Sequence, residues 1–595
     1  MAKHGVFRGK STIFAKVLAL ISRKEKMKKN VAFVMLIMAF FGQMSAQQPK
    51  NHNFEVGKNL DIFNNIYKGL DLMYVDTLNP QEVIGNGITA MLRSLDPYTE
   101  YYPEEKSKEL KMMLTGKYAG IGSIIRWHQR LKTTVIDEPY EGMPAAEAGL
   151  KKGDVILSID GEDMTGKDTK YVSDHLKGDA GTSFLLKVRR PSTGKVLKMK
   201  MTRQNIKEAD IPYYGMLKDD IAYINFRSYT EGCARTMRNC FIELRNKGAK
   251  KLILDLRGNG GGAVQESVDI VNMWLPKGMT IISQKGKLAQ ANHDYVTRLE
   301  PVDTLMPIVV MVGGMTASSS EITCGSLQDL DRAIILGTRT YGKGLVQTPF
   351  DLPYNSNVKV TTGKYYIPSG RCVQAINYKH AGGGYTERIP DSLTHVFHTR
   401  NGREVRDGGG IMPDLEIKPD TLPNIALYLD RMDSTEVMLD YETDYMAAHP
   451  QIASAAEFHL TDADFEEFKQ RVEKSGFNYD KVTANALDEL EKMARFEGYY
   501  DDAKEEFEHL RAKLKHNVGR DLERYRDVII RMIENDLVTA YHFQAGAIEA
   551  ALGHDSQMKE AEALLADGHR YADLLKNGNR KTQEEKKQGD EGKKK

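Results

Sequence analysis

The sequence predicts a multidomain α/β protein, and three observations carry that prediction. The chain has 595 residues, which at roughly 100 to 200 residues per domain calls for several domains rather than one. A central stretch from 215 to 420 alternates apolar strand-like runs with helical periods, the pattern of a largely parallel, layered α/β core. Ahead of it, Tyr118 to Ile206 holds short β-rich runs punctuated by Gly, and helical periodicity flanks both stretches.

Taken in order, Met27-Lys28-Lys29 opens a basic stretch, Val31 to Phe41 is an apolar run, and Met44-Ser45-Ala46 ends on a small residue. That is the pattern of a secretory signal peptide, residues 1–46, cleaved after Ala46. The run falls short of the roughly 20 apolar residues that span a bilayer, so membrane association is expected only if the segment stays uncleaved. Residues before Met27 fit an export signal poorly, which points to Met27 as the true start. The expected location is exported, in the periplasm or cell envelope.

Residues 47–115 read as a small helical region, with Leu60, Ile62, Phe63, Ile66, Tyr67 and Leu70, then Val83, Ile84, Ile88, Met91 and Leu92, at helical spacing and Leu95-Asp96-Pro97 as a stop. Residues 116–206 follow as a compact β-rich domain. The core, 207–420, reads as strand Ile221 to Phe226, helix Gly232 to Lys247, strand Lys251 to Leu256, helix Ala263 to Leu275, strand Ile308 to Val312, helix Ser319 to Leu330 and strand Ala333 to Leu336. Residues 421–575 are helical in period, and 576–595 are expected to be a disordered charged tail, nearly all charged or Gly from Gln583 onward.

Composition narrows the function. Lys plus Arg total 83 against 82 Asp plus Glu, a net charge of +1, so no global electrostatic footprint for nucleic acid exists. Apolar residues at 41% and charged residues at 28% exclude a collagenous, wholly disordered or polytopic membrane chain. Cys233, Cys240, Cys324 and Cys372 form no CxxC pair, and neither a disulfide framework nor a metal site is expected from them.

Three glycine-rich segments are candidates for chemistry. Gly258, Gly260 and Ala263 formally satisfy the dinucleotide pattern, but Thr280-Ile281-Ile282 is followed by Ser283-Gln284-Lys285 rather than by the acidic residue that a ribose needs. Gly337 to Lys343 spells a phosphate loop, yet Gly344 stands where Ser or Thr should hold magnesium, and an extended Pro-broken run follows instead of a helix. The third, Gly313-Gly314-Met315-Thr316-Ala317-Ser318-Ser319-Ser320-Glu321, leaves a strand and enters a helix. A serine there gains unpaired N–H groups and a positive dipole end for an oxyanion. Ser318-x-x-Glu321 is equally a capping box, which would simply start the helix.

Two resemblances bear on these motifs. Tyr118-Ala119-Gly120-Ile121-Gly122, Pro144-Ala145-Ala146-Glu147-Ala148-Gly149-Leu150, Gly153-Asp154-Val155-Ile156 and Asp160-Gly161 together resemble a PDZ domain. The resemblance implies that Tyr118, Ala119, Gly120, Ile121 and Gly122 receive a peptide's terminal carboxylate, and the physics agrees: such a turn aims backbone N–H groups at an anion beside a strand edge that can pair with a peptide. Asp255 to Gln374, with Thr316 to Ile322, Tyr341 to Gln347, Tyr366 to Arg371 and then Gly410-Ile411-Met412-Pro413-Asp414, resembles the carboxyl-terminal processing peptidases, or tail-specific proteases, of family S41.

That resemblance implies a layered crotonase/ClpP-like α/β peptidase core and a serine endopeptidase that binds protein or peptide substrates by their C-terminus, with no cofactor and no metal. It places the nucleophile on Ser318, with Ser319 and Ser320 as alternatives because the family's Ser-Ala-Ser-Ala-Ser-Glu is here Thr-Ala-Ser-Ser-Ser-Glu. It places the general base on Lys343, with Gln347 orienting it. The oxyanion donors are then expected at the N–H of Ser319 and of Gly261 or Gly262. A Ser-His-Asp site is the rival mechanism, with His293 the one histidine between Asp255 and Lys343. A catalytically silent PDZ scaffold that binds protein tails is the alternative function, favoured if Ser318 and Lys343 lie far apart.

Overall fold

The computed structural model describes residues 52–107, 117–218, 220–377, 387–432, 434–479, 482–514 and 517–578. The expected signal segment, 1–46, and the tail from 579 onward lie outside them. The chain divides into two compact units, one ending at Ile88 and one beginning at Thr89. The first holds helix His52–Met73 and the start of helix Pro80–Arg93, and the second holds everything that follows.

Six strands form the central sheet in the order Tyr213–Met216, Ile221–Asn225, Lys251–Asp255, Ile308–Val312, Ile334–Gly337 and Leu415–Glu416. The first pair is antiparallel and the others run parallel. Strand residues point alternately to the two faces. Leu252 and Leu254 therefore pack among Met237, Phe241, Val268 and Ile322 of helices Cys233–Asn246, Val264–Val271 and Ser319–Asp329. Ile253, between them, enters a second core with Met558, Leu564, Leu565, Tyr571 and Leu574. Both faces are covered, which is why strand Ile308–Val312 reads Ile-Val-Val-Met-Val without a polar residue.

The cover on the second face is supplied by helices Ser556–Ala566 and Gly568–Asn577, so the C-terminal helical residues do not all stand apart from the α/β core. The Tyr571 hydroxyl donates to the Ile308 carbonyl and accepts from its N–H, at 3.0 Å each. The strands and helices expected from 221 to 336 are present within a few residues. The main difference is helix Val264–Val271, which stops short of the expected Leu275.

Of the second sheet the sequence reading holds only one piece, the extended run from Leu345 to Phe350. Strands Glu100–Tyr102, Asn357–Tyr366, Thr280–Gly286 and His293–Val296 lie side by side, and Leu345–Asp351 also pairs with Asn357–Tyr366, all antiparallel. It takes up the chain immediately after Lys343 and joins it to the residues that follow the predicted stop at Leu95-Asp96-Pro97.

The β-rich domain is an antiparallel sheet ordered Ser123–His128, Thr133–Pro139, Val155–Ile159, Ser183–Arg189 and Val196–Thr202. Its core of Ile136, Ile156, Leu186 and Val188 is closed by Val172 and Leu176 of helix Thr169–Leu176. Ser123–His128 is an edge strand. Helix Val437–Ala448 docks against this domain, with Leu439 packed on Val135 and Val155. Lys152 Nζ sits 3.0 Å from Glu442 and 3.4 Å from Asp536. Glu436 accepts from Arg126 and, at 2.7 Å, from the N–H of Gln129. A buried ammonium is tolerated only among such partners, so the interface fixes how the β-rich domain is held.

Candidate active site

Six residues, 313–318, connect strand Ile308–Val312 to helix Ser319–Asp329, and they are stitched to the glycine loop that leaves strand Lys251–Asp255. Ala317 N–H donates to the Asn259 carbonyl at 3.0 Å, and the Thr316 hydroxyl donates to the Leu256 carbonyl at 2.9 Å. The fully buried Asn259 spends its amide on the Phe226 carbonyl and its side-chain oxygen on Gly261 N–H, at 2.9 Å each. These bonds set the two loops edge to edge.

The three neighbouring serines separate cleanly. The Ser319 hydroxyl donates to the Gly262 carbonyl at 2.8 Å and the Ser320 hydroxyl to the Asn259 carbonyl at 3.0 Å, and both residues are buried. Their hydroxyls anchor the glycine loop. Ser318 is partly exposed at the helix entrance. It forms the expected capping box with Glu321, yet its backbone sits at φ 57°, ψ −117°. An ordinary N-cap is extended with negative φ, so a mere cap does not account for this strain, which is typical of functional positions.

Gly261, at φ 95°, lies against the serine: a Cβ there would come within 2.8 Å of Ser318 Cβ and 2.9 Å of Ser319 N. Only glycine fits. Its own N–H is spent on Asn259. Among the described residues, no hydrogen bond engages the N–H of Gly262 or of Ser319, which leaves that pair available to an oxyanion.

Glu321 joins the two halves of the site. One carboxylate oxygen accepts from the Thr340 hydroxyl at 2.6 Å and Gly342 N–H at 2.7 Å, and the other from Lys343 N–H at 2.8 Å and Ser318 N–H at 2.9 Å. Burial pushes its pKa up and the four donors pull it back. Tyr365 does the same on the acceptor side: its buried hydroxyl lies 2.6 Å from the Lys343 carbonyl and 3.2 Å from that of Ser318. Residues 318 and 343 are thus held by both their N–H and their C=O groups. Gly342, at φ 89°, permits the approach, since a Cβ there would meet Ala375 Cβ at 2.2 Å.

The Lys343 side chain is largely buried, and its pKa lies below the usual lysine range, chiefly through desolvation and then through Lys359, with Glu100, Glu321 and Asp96 opposing. Its Nζ stands 4.5 Å from the centre of the Tyr98 ring. Among the described residues it makes no hydrogen bond to the Ser318 hydroxyl. No hydrogen bond links Gln347 to it among the described residues, and the Gln347 amide donates to the Thr361 hydroxyl at 3.3 Å. His293 lies on an exposed strand with its ring against Tyr295, and no histidine is hydrogen-bonded to Ser318 among the described residues. No group of three or more His, Cys, Asp or Glu side chains there is arranged to hold a metal ion.

At the β-rich domain, Tyr118 to Gly120 pair with Gln204 to Ile206, and the carbonyls of Ile121 and Gly122 accept from Ala145 and Tyr140. Among the described residues their N–H groups are unengaged, and Lys177 Nζ lies 5.6 Å from the centre of the Tyr118 ring. The sequence reading missed Tyr365, Tyr98, Asn259 and Lys177. It took Glu321 for a capping residue, although the Tyr-Ile-Pro-Ser-Gly-Arg motif beginning at Tyr366 pointed to the neighbourhood of Tyr365.

A profile of peptidase family S41 matches residues 220–380, one of the PDZ domain matches 135–190, and one described as "Probable PDZ-protease, C-terminal helical domain" matches 428–565. A carboxy-terminal-processing protease of Bartonella bacilliformis is 33% identical over 330 residues, covering 55% of this chain and 75% of that relative. The chain belongs to the carboxy-terminal-processing proteases of peptidase family S41. A probable CtpA-like serine protease of Staphylococcus aureus is 29% identical over 54% of this chain and 64% of that relative, just under two thirds of its length. Among solved structures, the photosystem II D1 C-terminal processing protease aligns at 25% identity and a TM-score of 0.34, over 61% of this chain and 88% of that one.

The protein is therefore a serine peptidase with an S41 core, a PDZ domain and a C-terminal helical domain. In this S41 peptidase, Glu321→Ala is expected to lose about 3–5 kcal/mol of stability, because it strands buried donors from two loops. Thermal unfolding compared with Glu321→Gln, which keeps one acceptor oxygen, measures it.

Proposed function

We propose that this S41 peptidase is exported, captures the C-terminal tail of a protein substrate in its PDZ domain, and cleaves the chain with Ser318 as nucleophile and Lys343 as general base. The observation that carries the reading is the double bridge of Glu321 and Tyr365 across the backbones of residues 318 and 343. It opposes the silent-scaffold alternative, which requires the two residues to be far apart.

The chemistry follows from these groups. The neutral amine of Lys343 takes the proton of the Ser318 hydroxyl as Oγ attacks the scissile carbonyl carbon. The carbonyl oxygen becomes an oxyanion and receives the N–H groups of Ser319 and Gly262, the first of them at a helix N-terminus. The tetrahedral intermediate collapses, the C–N bond breaks, and the Lys343 ammonium gives its proton to the departing amine. Water, deprotonated by the same lysine, then releases the acyl group and restores Ser318. Gln347 serves as the orienting partner of the lysine through its side-chain oxygen, with its amide nitrogen held on the Thr361 hydroxyl.

Tail capture is supported by the unengaged N–H groups of Ile121 and Gly122, the nearby Lys177 and the edge strand Ser123–His128, which offers its outer side to an extended peptide. A charged hydrogen-bonding group contributes about 1.5–3 kcal/mol. Amidating the C-terminus of an unfolded protein substrate should therefore lower kcat/KM about 10- to 100-fold, and a short chromogenic peptide should show little change. Equal rates on the free and amidated protein would contradict tail capture.

A further inference from the structure

Lys343 and Gln347, the two residues assigned to general-base work, both make their side-chain contacts away from Ser318. The ammonium of Lys343 faces the ring of Tyr98 at 4.5 Å from its centre, within cation–π range. The Gln347 amide donates to the Thr361 hydroxyl. Thr361 is also where the chain next to Tyr98 is fastened, since Thr361 N–H donates to the Thr99 hydroxyl oxygen at 3.1 Å.

The turn that presents Tyr98 is built to be definite. Asp96 is buried and accepts from Tyr98 N–H at 2.7 Å, Thr99 N–H at 2.8 Å and the Thr99 hydroxyl at 2.9 Å. Strand Glu100–Tyr102 then pairs with Asn357–Lys359, and Glu100 lies 2.7 Å from Lys359 Nζ. The charged groups around the Lys343 amine are Lys359, which lowers its pKa, and Glu100, Glu321 and Asp96, which raise it.

We propose that Tyr98 is a holding residue for the general base: its ring receives the Lys343 ammonium and keeps it from the Ser318 hydroxyl, so that activation requires the Asp96–Thr99 turn to give way. This rests on the Ser318/Lys343 reading. The direction is fixed by electrostatics. The negative face of an aromatic ring stabilises the charged lysine and not the neutral one, so Tyr98 works against the deprotonation that catalysis needs. When the turn withdraws, the amine is released to Ser318.

Two variants and two readouts test this. Tyr98→Leu keeps apolar bulk over the lysine but removes the ring, whereas Tyr98→Phe keeps the ring and removes the hydroxyl. The first readout is the Lys343 titration midpoint, followed by the Cε resonance of labelled lysine in a Ser318→Ala background and assigned with Lys343→Arg. The second is kcat/KM for a short peptide across pH in the active enzyme, with thermal unfolding confirming that each variant is folded.

In Tyr98→Leu the midpoint should fall by about half to one pH unit, and activity on the acid side of the limb should rise about three- to tenfold. Tyr98→Phe should match the unmodified enzyme in both. A Lys343 midpoint in Tyr98→Leu that is unchanged or higher overturns the proposal. So does a fall in kcat at unchanged midpoint, the mark of a structural role. A midpoint that moves while the activity limb stays put would remove Lys343 from the role of base, overturning the dyad reading and this proposal with it.

Discussion

Ser318→Ala should reduce peptide hydrolysis by about 10⁴- to 10⁶-fold, the loss seen when a nucleophile acting with its base is removed, while the protein stays folded. The side chain supplies no more than a helix cap, worth about 1 kcal/mol, and the Ser318 N–H remains on Glu321. The neighbouring serines should behave in the opposite sense. Ser319→Ala and Ser320→Ala remove hydroxyls that hold the Gly262 and Asn259 carbonyls, so each should lower stability and loosen the oxyanion loop while leaving measurable turnover. Full activity in Ser318→Ala would transfer the nucleophile to one of them. Hydrolysis of an unfolded protein, measured beside thermal unfolding, distinguishes the cases.

The second large effect concerns the lysine. Burial lowers the Lys343 pKa, and only the neutral amine accepts a proton, so activity should rise with pH through a midpoint below the usual lysine range and then level. Lys343→Arg should be nearly inactive, by about 10²- to 10⁴-fold, because guanidinium does not deprotonate and because general-base assistance has that worth. Stability should move the other way. A lysine whose folded pKa is lowered binds fewer protons folded than unfolded, so it penalises the fold below its folded pKa, and the penalty fades as pH rises toward the unfolded value. Lys343→Met removes that penalty and should unfold no lower than the parent protein at neutral pH. A variant that is both dead and destabilised would assign Lys343 a structural role instead.

Much of this was legible in the sequence, for identifiable reasons. The strands around 221, 251 and 308 are continuous apolar runs because both faces of the central sheet are buried. The segment around Ser318 reads locally as a helix cap as well as a nucleophile site, and only the resemblance carried by the motifs after it favours the second; the PDZ domain is legible in the order and spacing of its glycine-containing motifs. What was hidden depends on distant partners. Glu100–Tyr102 pairs with residues more than 250 positions later, and nothing local marks so short a strand. Leu564 and Tyr571 lie on two successive helices of a region that reads only as helical in period, and the surface they cover could not be inferred from period alone. Glu321 and Tyr365 act on backbone N–H and C=O groups, which every residue carries, so their partners leave no trace in composition. Tyr98 looked like the residue after a helix stop, and only the second sheet brings it to Lys343.

The most direct test of the Ser318/Lys343 assignment is covalent labelling with a serine-directed fluorophosphonate, read by peptide mass spectrometry and followed as a rate against pH in the parent protein and in Lys343→Ala. The adduct should fall on Ser318, at a rate that rises with pH through one ionisation, and both the rate and its pH dependence should collapse in Lys343→Ala. An adduct on a different serine, or labelling of Lys343→Ala at the parent rate with the same pH profile, would contradict it.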